Sequence, residues 1–253
     1  MGIRKKLRNF FYKRKFEINN SSQLKFSEKS VLITGANSGI GLALTEKLLD
    51  LNNTVYATFN KSSENLIKIK NKNLFLIKCD HSNLQEIDNI KNIILQKSIN
   101  LIINNAAVSG SNDQNFDSID YEKFQNAILI NVLSVLKISH LVLKNAKISS
   151  LKTIVNISSE MGSISKNLNG GHYIYRTTKA ALNAITKNMA IDLNKKYDIN
   201  VFAIHPGRVK TKMNPEGLID VNTCAFNILN LLSTNDVSIN GKFIDLQKNE
   251  IPW

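Results

Sequence analysis

Short apolar runs alternate with longer amphipathic stretches from residue 29 onward. The runs at 30–34 (SVLIT), 54–58, 74–78, 101–104, 153–158, 200–204 and 242–246 are rich in Val, Ile, Leu and Phe and show no regular polar face. Strict alternation would mark strands with one wet side, whereas near-continuous apolar runs mark strands covered on both. Between them, 41–49, 84–96, 121–143 and 175–195 read as helices. In 121–143, for example, apolar residues recur at three- and four-residue steps, giving one buried stripe. Strands that alternate with helices are joined by crossovers, and crossovers join parallel neighbours. The predicted fold class is therefore α/β: a doubly wound parallel sheet of the Rossmann type, in three layers. No repeat or linker interrupts residues 28–253, so one domain is expected there. Ligands of such sheets bind beyond the carboxyl ends of the strands.

Composition narrows the function classes. The 253 residues include two cysteines, Cys79 and Cys224, in no C-x-x-C or Cys/His cluster, and four histidines with no ligand spacing, so no metal site is expected. A formal charge of +13 suggests nucleic acid until it is located. Residues 1–25 hold eight Lys or Arg and one Glu, which is over half the excess. The remaining body is only moderately basic, and no nucleic-acid partner is expected.

Residues 1–27 form a basic N-terminal extension in which Arg4, Lys5, Lys6, Arg8, Lys13, Arg14 and Lys15 interleave with Ile3, Leu7, Phe10, Phe11 and Phe16. Three readings stay open: a solvated flexible tail, a peripheral contact with an anionic membrane surface, or a targeting sequence. Lys6 stands where N-myristoylation needs Ser or Thr. With no run of ~18 apolar residues and no signal-peptide core, a cytoplasmic location is the expectation.

Candidate chemistry starts at the turn after the first strand. Gly35, Asn37, Ser38, Gly39, Ile40 and Gly41 follow that strand and open the first helix. Glycines allow a tight turn and close backbone approach, and the helix start offers free N–H groups to a pyrophosphate. The end of the second strand has no acid in 58–61 to bind a ribose 2′-hydroxyl, and Lys61 could pair with a 2′-phosphate, which favours NADP(H) over NAD(H). Lys61 also reads as a solvated loop lysine. Tyr175 and Lys179 stand four apart on one helix, where an adjacent ammonium would lower the phenol pKa and give a usable acid/base. Ser159 ends a strand and could donate to a substrate oxygen. Asn131 falls on a buried stripe, either as a structural amide or as one that also positions a water near Lys179.

Taken in order, TGANSGIG at 34–41, Asp80, NNAA at 104–107, Asn131, SSEMGS at 158–163, YRTTK at 175–179 and HPGRVKT at 205–211 resemble the motifs of the short-chain dehydrogenase/reductase family. The resemblance covers roughly 29–253 and extends to the single-domain branch, in particular its C-factor-like and carbonyl reductase group. It implies an NAD(P)-dependent oxidoreductase that moves hydride between a nicotinamide and a carbonyl or alcohol substrate. The glycine turn would hold the pyrophosphate, Asp80 the adenine amino group, and Asn105 and Ala106 the riboses. After the bend at Pro206 and Gly207, Val209 and Thr211 would anchor the carboxamide. Asn131, Ser159, Tyr175 and Lys179 match the catalytic tetrad. Tyr175 would pass the proton, and Lys179 would also hold the nicotinamide ribose. A homodimer or homotetramer is implied.

Departures from the pattern are Ala107 for the usual glycine, an insert at Asn169-Gly170-Gly171, and Arg208 where the group often has tryptophan. The segment 212–223 is short for a substrate lid, which suggests an open pocket. The alternative reading is a cofactor-binding signalling or scaffold protein of the same fold. A sugar-nucleotide epimerase is disfavoured by the missing G-x-x-G-x-x-G turn.

Overall fold

The computed structural model describes residues 24–111 and 114–253, together with Asn9 and Tyr12. Seven strands, β1 (Ser30–Ile33), β2 (Thr54–Phe59), β3 (Leu74–Lys78), β4 (Leu101–Asn104), β5 (Thr153–Ile157), β6 (Asn200–His205) and β7 (Phe243–Asp245), form one sheet. Their order is β3-β2-β1-β4-β5-β6-β7, and every pairing is parallel. The chain adds β2 and β3 on one side of β1, then returns to add β4 to β7 on the other. A crevice opens where that direction reverses, at the carboxyl ends of β1 and β4.

Helices cover both faces, as the unbroken apolar strands require. Val31, Ile33, Ile103, Val155 and Ile204 pack with Leu44 and Leu48 of α1 (Gly39–Asp50), on the face that also carries Ile228 and Leu229. Leu32, Ile102, Ile154 and Val201 point the other way, toward Ile90, Ile94, Ile138, Val142 and Met189. Alternate residues of one strand thus serve two cores. The α/β doubly wound, three-layer class read from the sequence is the fold observed.

Four local features differ from the expected elements. The helix expected over 84–96 is two short ones, α3 (Leu84–Ile87) and α4 (Ile90–Ile94), after α2 (Glu64–Ile67), which the pattern did not mark. Asp88 and Asn89, weak helix formers, sit at the break, and their N–H groups bond three residues back, to Gln85 and Glu86. The helix expected over 121–143 runs as α5 (Tyr121–Ile128), a π-helical turn (Leu129–Leu133) and α6 (Ser134–Asn145). The helix expected from 175 begins two residues earlier, as α7 (Tyr173–Tyr197). The helix-like run around Cys224 is α8 (Val221–Ser233), which Asp220 caps by accepting from the N–H groups of Asn222 and Thr223.

Among the described residues, one helical run, Tyr121–Asn145, is long and apolar enough to cross a membrane. Its inward residues Ile138, Leu141 and Val142 lie in the core under the sheet, so it is a core helix here. In the N-terminal extension, the Tyr12 hydroxyl accepts a hydrogen bond from the Arg208 N–H at 2.9 Å, and the ring packs on the α1 side of the core. The three readings of the basic extension otherwise concern residues outside the described ones.

A buried asparagine ties the start of the sheet together. Asn53 Oδ1 accepts from Lys29 N–H at 2.9 Å, and Nδ2 donates to the carbonyls of Phe26 and Leu48, each at 2.9 Å. Asn53→Ala strands the Lys29 N–H and the Phe26 carbonyl, whereas the Leu48 carbonyl keeps the Asn53 N–H. Urea denaturation should show a loss of about 2–4 kcal/mol; a loss below about 1 kcal/mol would mean that water reaches these groups.

Candidate active site

The glycine turn is built by neighbours from β4. The Thr34 hydroxyl accepts from the N–H groups of Asn105 and Ala106, both at 2.9 Å. Asn105 Nδ2 returns two bonds, to the carbonyls of Thr34 (2.9 Å) and Gly35 (3.1 Å). This crossing leaves no room for side chains. A Cβ on Gly41 would lie 2.3 Å from the Gly35 oxygen and 2.6 Å from Asn105 Nδ2. Gly35 also has φ +64°, a left-handed backbone. Helix α1 then opens with no side-chain cap from Ser38 and no acid in its first turn. Its leading N–H groups suit an anion.

Helix α7 brings Tyr175 and Lys179 to the same crevice, and a buried polar ladder fixes its position. Asn104 Nδ2 donates to Asn156 Oδ1 at 2.8 Å, and Asn156 Nδ2 donates to Thr186 at 2.8 Å. Ser158 donates to Asn183 at 2.7 Å. Two strands and the helix are thereby locked in one register, because these three bonds cross element boundaries. Gly162 lets the loop after β5 touch the helix, since a Cβ there would come within 2.8 Å of the Lys179 backbone. Gln114, which the sequence reading did not single out, accepts from Tyr175 N–H and donates to the Ser109 and Ser111 carbonyls. It ties the loop after β4 to the start of the tyrosine turn. The chain's end does similar work: the Ser163 hydroxyl donates to the Pro252 carbonyl, and Trp253 stacks on Phe243.

The electrostatics run opposite to the expected lowering of the tyrosine pKa. Burial pushes the Tyr175 phenol up to about 12, and a hydrogen bond with Ser159 only partly offsets this. Burial also pulls the Lys179 ammonium down to about 7. Its Nζ donates to the Ile157 carbonyl at 2.7 Å and lies 5.7 Å from the Tyr175 ring centroid. The i,i+4 spacing does bring the two together. Lys179 is buried and Tyr175 is half-buried at the cleft wall, and desolvation outweighs their mutual effect.

One cleft of about 370 Å³ gathers Gly35, Asn37, Ser38, Gly39, Ile40, Asp80, Asn105, Ala106, Tyr175, Lys179, Pro206 and Thr211. Ser159, Gly207 and Val209 line an adjoining cleft of about 450 Å³ that shares Ile40, Tyr175, Pro206 and Thr211 with the first. Gly41 lies beneath the turn. Asn131 is buried beside the cleft, in the π-helical turn. Its amide is occupied by the Val108 N–H and carbonyl and by Thr178, the bonding of a structural amide. Lys61 is exposed and outside both linings. Asn60 takes the place nearer the cleft and hydrogen-bonds Asp80. Lys212 also lines the cleft, a cation that the sequence reading passed over. A third cleft of about 360 Å³ touches Leu101, Thr153 and Asn200, the first residues of three strands, at the opposite end of the sheet. It holds none of the expected residues.

The model of the short chain dehydrogenase family matches residues 29–220. The chain belongs to the short-chain dehydrogenase family. Within it, the chain is 32% identical to the C-signal protein of Myxococcus xanthus over 156 residues, covering 61% of this chain and 93% of that one. It is 29% identical to the benzil reductase ((S)-benzoin forming) of Bacillus cereus, covering 74% and 78%. The carbonyl reductase Sniffer of D. melanogaster superposes with a TM-score of 0.82 at 26% identity, over 89% of this chain and 100% of that one. As a member, this chain is an oxidoreductase of the Rossmann fold, in a family that uses nicotinamide cofactors.

The crowding at Gly41 gives a direct test of the turn. Gly41→Ala should lower the melting temperature by several degrees and weaken dinucleotide binding more than tenfold, because the new methyl must displace the Gly35 carbonyl. Unchanged binding in a titration would show that the turn does not hold the ligand.

Proposed function

We propose that this dehydrogenase is an NADP(H)-dependent carbonyl reductase acting on small apolar aldehydes and ketones, with Tyr175 as its proton donor. The observation that carries the reading is the placement of the Tyr175 and Ser159 hydroxyls, hydrogen-bonded to each other, beside the seam of two clefts. One cleft offers glycines, a helix start, Asp80 and Asn105, a set that fits a dinucleotide. The other, with Ile40, Met161, Val209 and Met213 on its walls, fits an apolar carbonyl compound.

When bound, a nicotinamide supplies hydride to the carbonyl carbon. As the new C–H bond forms, the C=O electron pair moves onto oxygen, and Tyr175 gives that oxygen its hydroxyl proton. Ser159 donates a hydrogen bond to the same oxygen as charge builds there. A buried tyrosinate is costly, so Tyr175 needs its proton returned. Lys179, with its pKa pulled to about 7, exchanges protons near neutrality. Preference for NADP(H) rests on the absence of an acid over 58–61 and on the cation Lys212 at the cleft wall. Leu136 on α6 and Ile191 on α7 are exposed apolar positions that suit pairing with a second copy.

Tyr175→Phe removes the proton without changing the cleft's shape. NADPH oxidation followed at 340 nm on a panel of apolar aldehydes and ketones should fall by about a thousandfold, with the Kd for NADPH within about threefold. Persistent turnover would remove Tyr175 from the chemistry. Similarity to the C-signal protein supports a second reading, a cofactor-binding signalling protein. Wild-type binding of NADPH with no oxidation across the panel would decide for it.

A further inference from the structure

Tyr12 belongs to the basic N-terminal extension, yet its hydroxyl stands at the carboxyl end of the sheet. It accepts from the Arg208 N–H at 2.9 Å, across 196 positions of chain. Its ring packs on the core that α1 and α8 share with the sheet. Phe26, also in the extension, lines the cleft at the opposite end of the sheet. Chain continuity therefore does not bring Tyr12 to Arg208. Glu160 after β5 and Asp245 at the end of β7 act electrostatically on the same hydroxyl, so it sits where the last three strands end. Burial, with those carboxylates, holds the phenol above its ordinary value, and it stays an uncharged hydroxyl.

Arg208 is part of a wall. Gly207, Arg208 and Val209 line the carbonyl cleft and do not line the dinucleotide cleft. This wall is sewn to the segment before α8. The Arg208 carbonyl accepts from the N–H groups of Leu218 (2.6 Å) and Ile219 (3.1 Å), and the Lys210 N–H donates to the Ile219 carbonyl at 2.7 Å. The Arg208 N–H is left over from this stitching, and Tyr12 receives it. Gly207 precedes it at φ +86°, and a glycine resists rotation little, so a wall without its second brace would swing at this point. Thr211, which lines both clefts, is held separately by paired backbone bonds with Asn214.

We propose that Tyr12 is a positioning residue for the carbonyl substrate: it braces Arg208 and so fixes the Val209 wall against which the apolar part of the substrate packs. The inference rests on the reading of this cleft as the carbonyl site. A wall that moves lets the substrate oxygen drift from Tyr175 and Ser159, so the loss appears in turnover rather than in dinucleotide affinity. The extension is then a working part of the site.

Two substitutions separate the hydrogen bond from the packing. Tyr12→Phe keeps the ring and removes the acceptor, and Tyr12→Leu removes both. In the full chain, kcat/KM for the panel compound that wild type reduces fastest should fall about fivefold in Tyr12→Phe, with the Kd for NADPH within about twofold. Hydrogen exchange read by mass spectrometry on a peptide spanning 206–211 should show the Arg208 amide exchanging about fivefold faster. The melting temperature should stay within about 2 °C of wild type, because the ring still packs.

Wild-type kcat/KM in Tyr12→Phe would overturn the proposal. So would a fall confined to Tyr12→Leu, which would make the ring a packing residue only. An equal loss of turnover and of NADPH affinity would overturn it too, since Tyr12 would then support the fold at large. If wild type reduces nothing in the panel, the carbonyl reading falls, and exchange alone decides the brace: an unchanged rate at 206–211 overturns it, and a faster one upholds it. If wild type turns over and only the Tyr12 results fail, the carbonyl reading survives.

Discussion

Lys179 is held almost entirely out of water, and much of the surrounding structure follows from that one constraint. A buried ammonium is costly unless its donors find acceptors. Here the Ile157 carbonyl, at the end of β5, supplies one at 2.7 Å. That bond fixes the distance between α7 and the carboxyl edge of the sheet. It also sets how closely Tyr175, one turn earlier, stands over the cleft. Lys179 also lines the cleft, so the hydroxyl oxygens of a ligand bound there would restore what burial removes. The site is thus tuned by desolvation: a phenol held protonated, beside an amine that exchanges its proton near neutral pH.

Such a pair is useful only if it cannot drift, and the packing around it shows how drift is prevented. The ladder of Asn104, Asn156 and Thr186, with Ser158 and Asn183, binds strands β4 and β5 to α7 through side-chain hydrogen bonds in the core. An apolar core would allow sliding at small cost, whereas a shifted ladder leaves several buried polar groups unpaired. Gly162, Gly35 and Gly41 act by absence, since each permits an approach that a methyl group would block. Gln114 and the C-terminal Pro252 and Trp253 brace the loops on either side. Tyr12 does the same for the loop at Arg208.

The sheet was legible because its strands are buried on both faces and read as apolar runs that a one-dimensional pattern can show. The broken helix at Asp88 and the π-helical turn at Asn131 were not, because periodicity reports which residues face inward and not how each turn is bonded. Motif residues converged because their spacing places them at strand ends and helix starts, where a parallel sheet gathers its ligands. What spacing could not convey is burial. Tyr175 and Lys179 stand four apart in any sequence, yet the sign of their pKa shifts depends on how much water the fold removes. Likewise Tyr12, Gln114 and Lys212 carry no motif, and they matter only through partners distant along the chain. Lys61 looked suitable by position, but the chain turns at Asn60 and leaves it exposed.

The pivotal quantity is the acidity of the Lys179 ammonium, which NMR titration of lysine side chains labelled with ¹³C can read residue by residue, using Lys179→Met to assign the signal. A midpoint of about 7 in the ligand-free protein is expected, against the ordinary 10.5. Binding of a dinucleotide whose hydroxyls meet the amine should move it upward. A midpoint near 10.5 before any ligand is added would contradict the claim that desolvation governs this site.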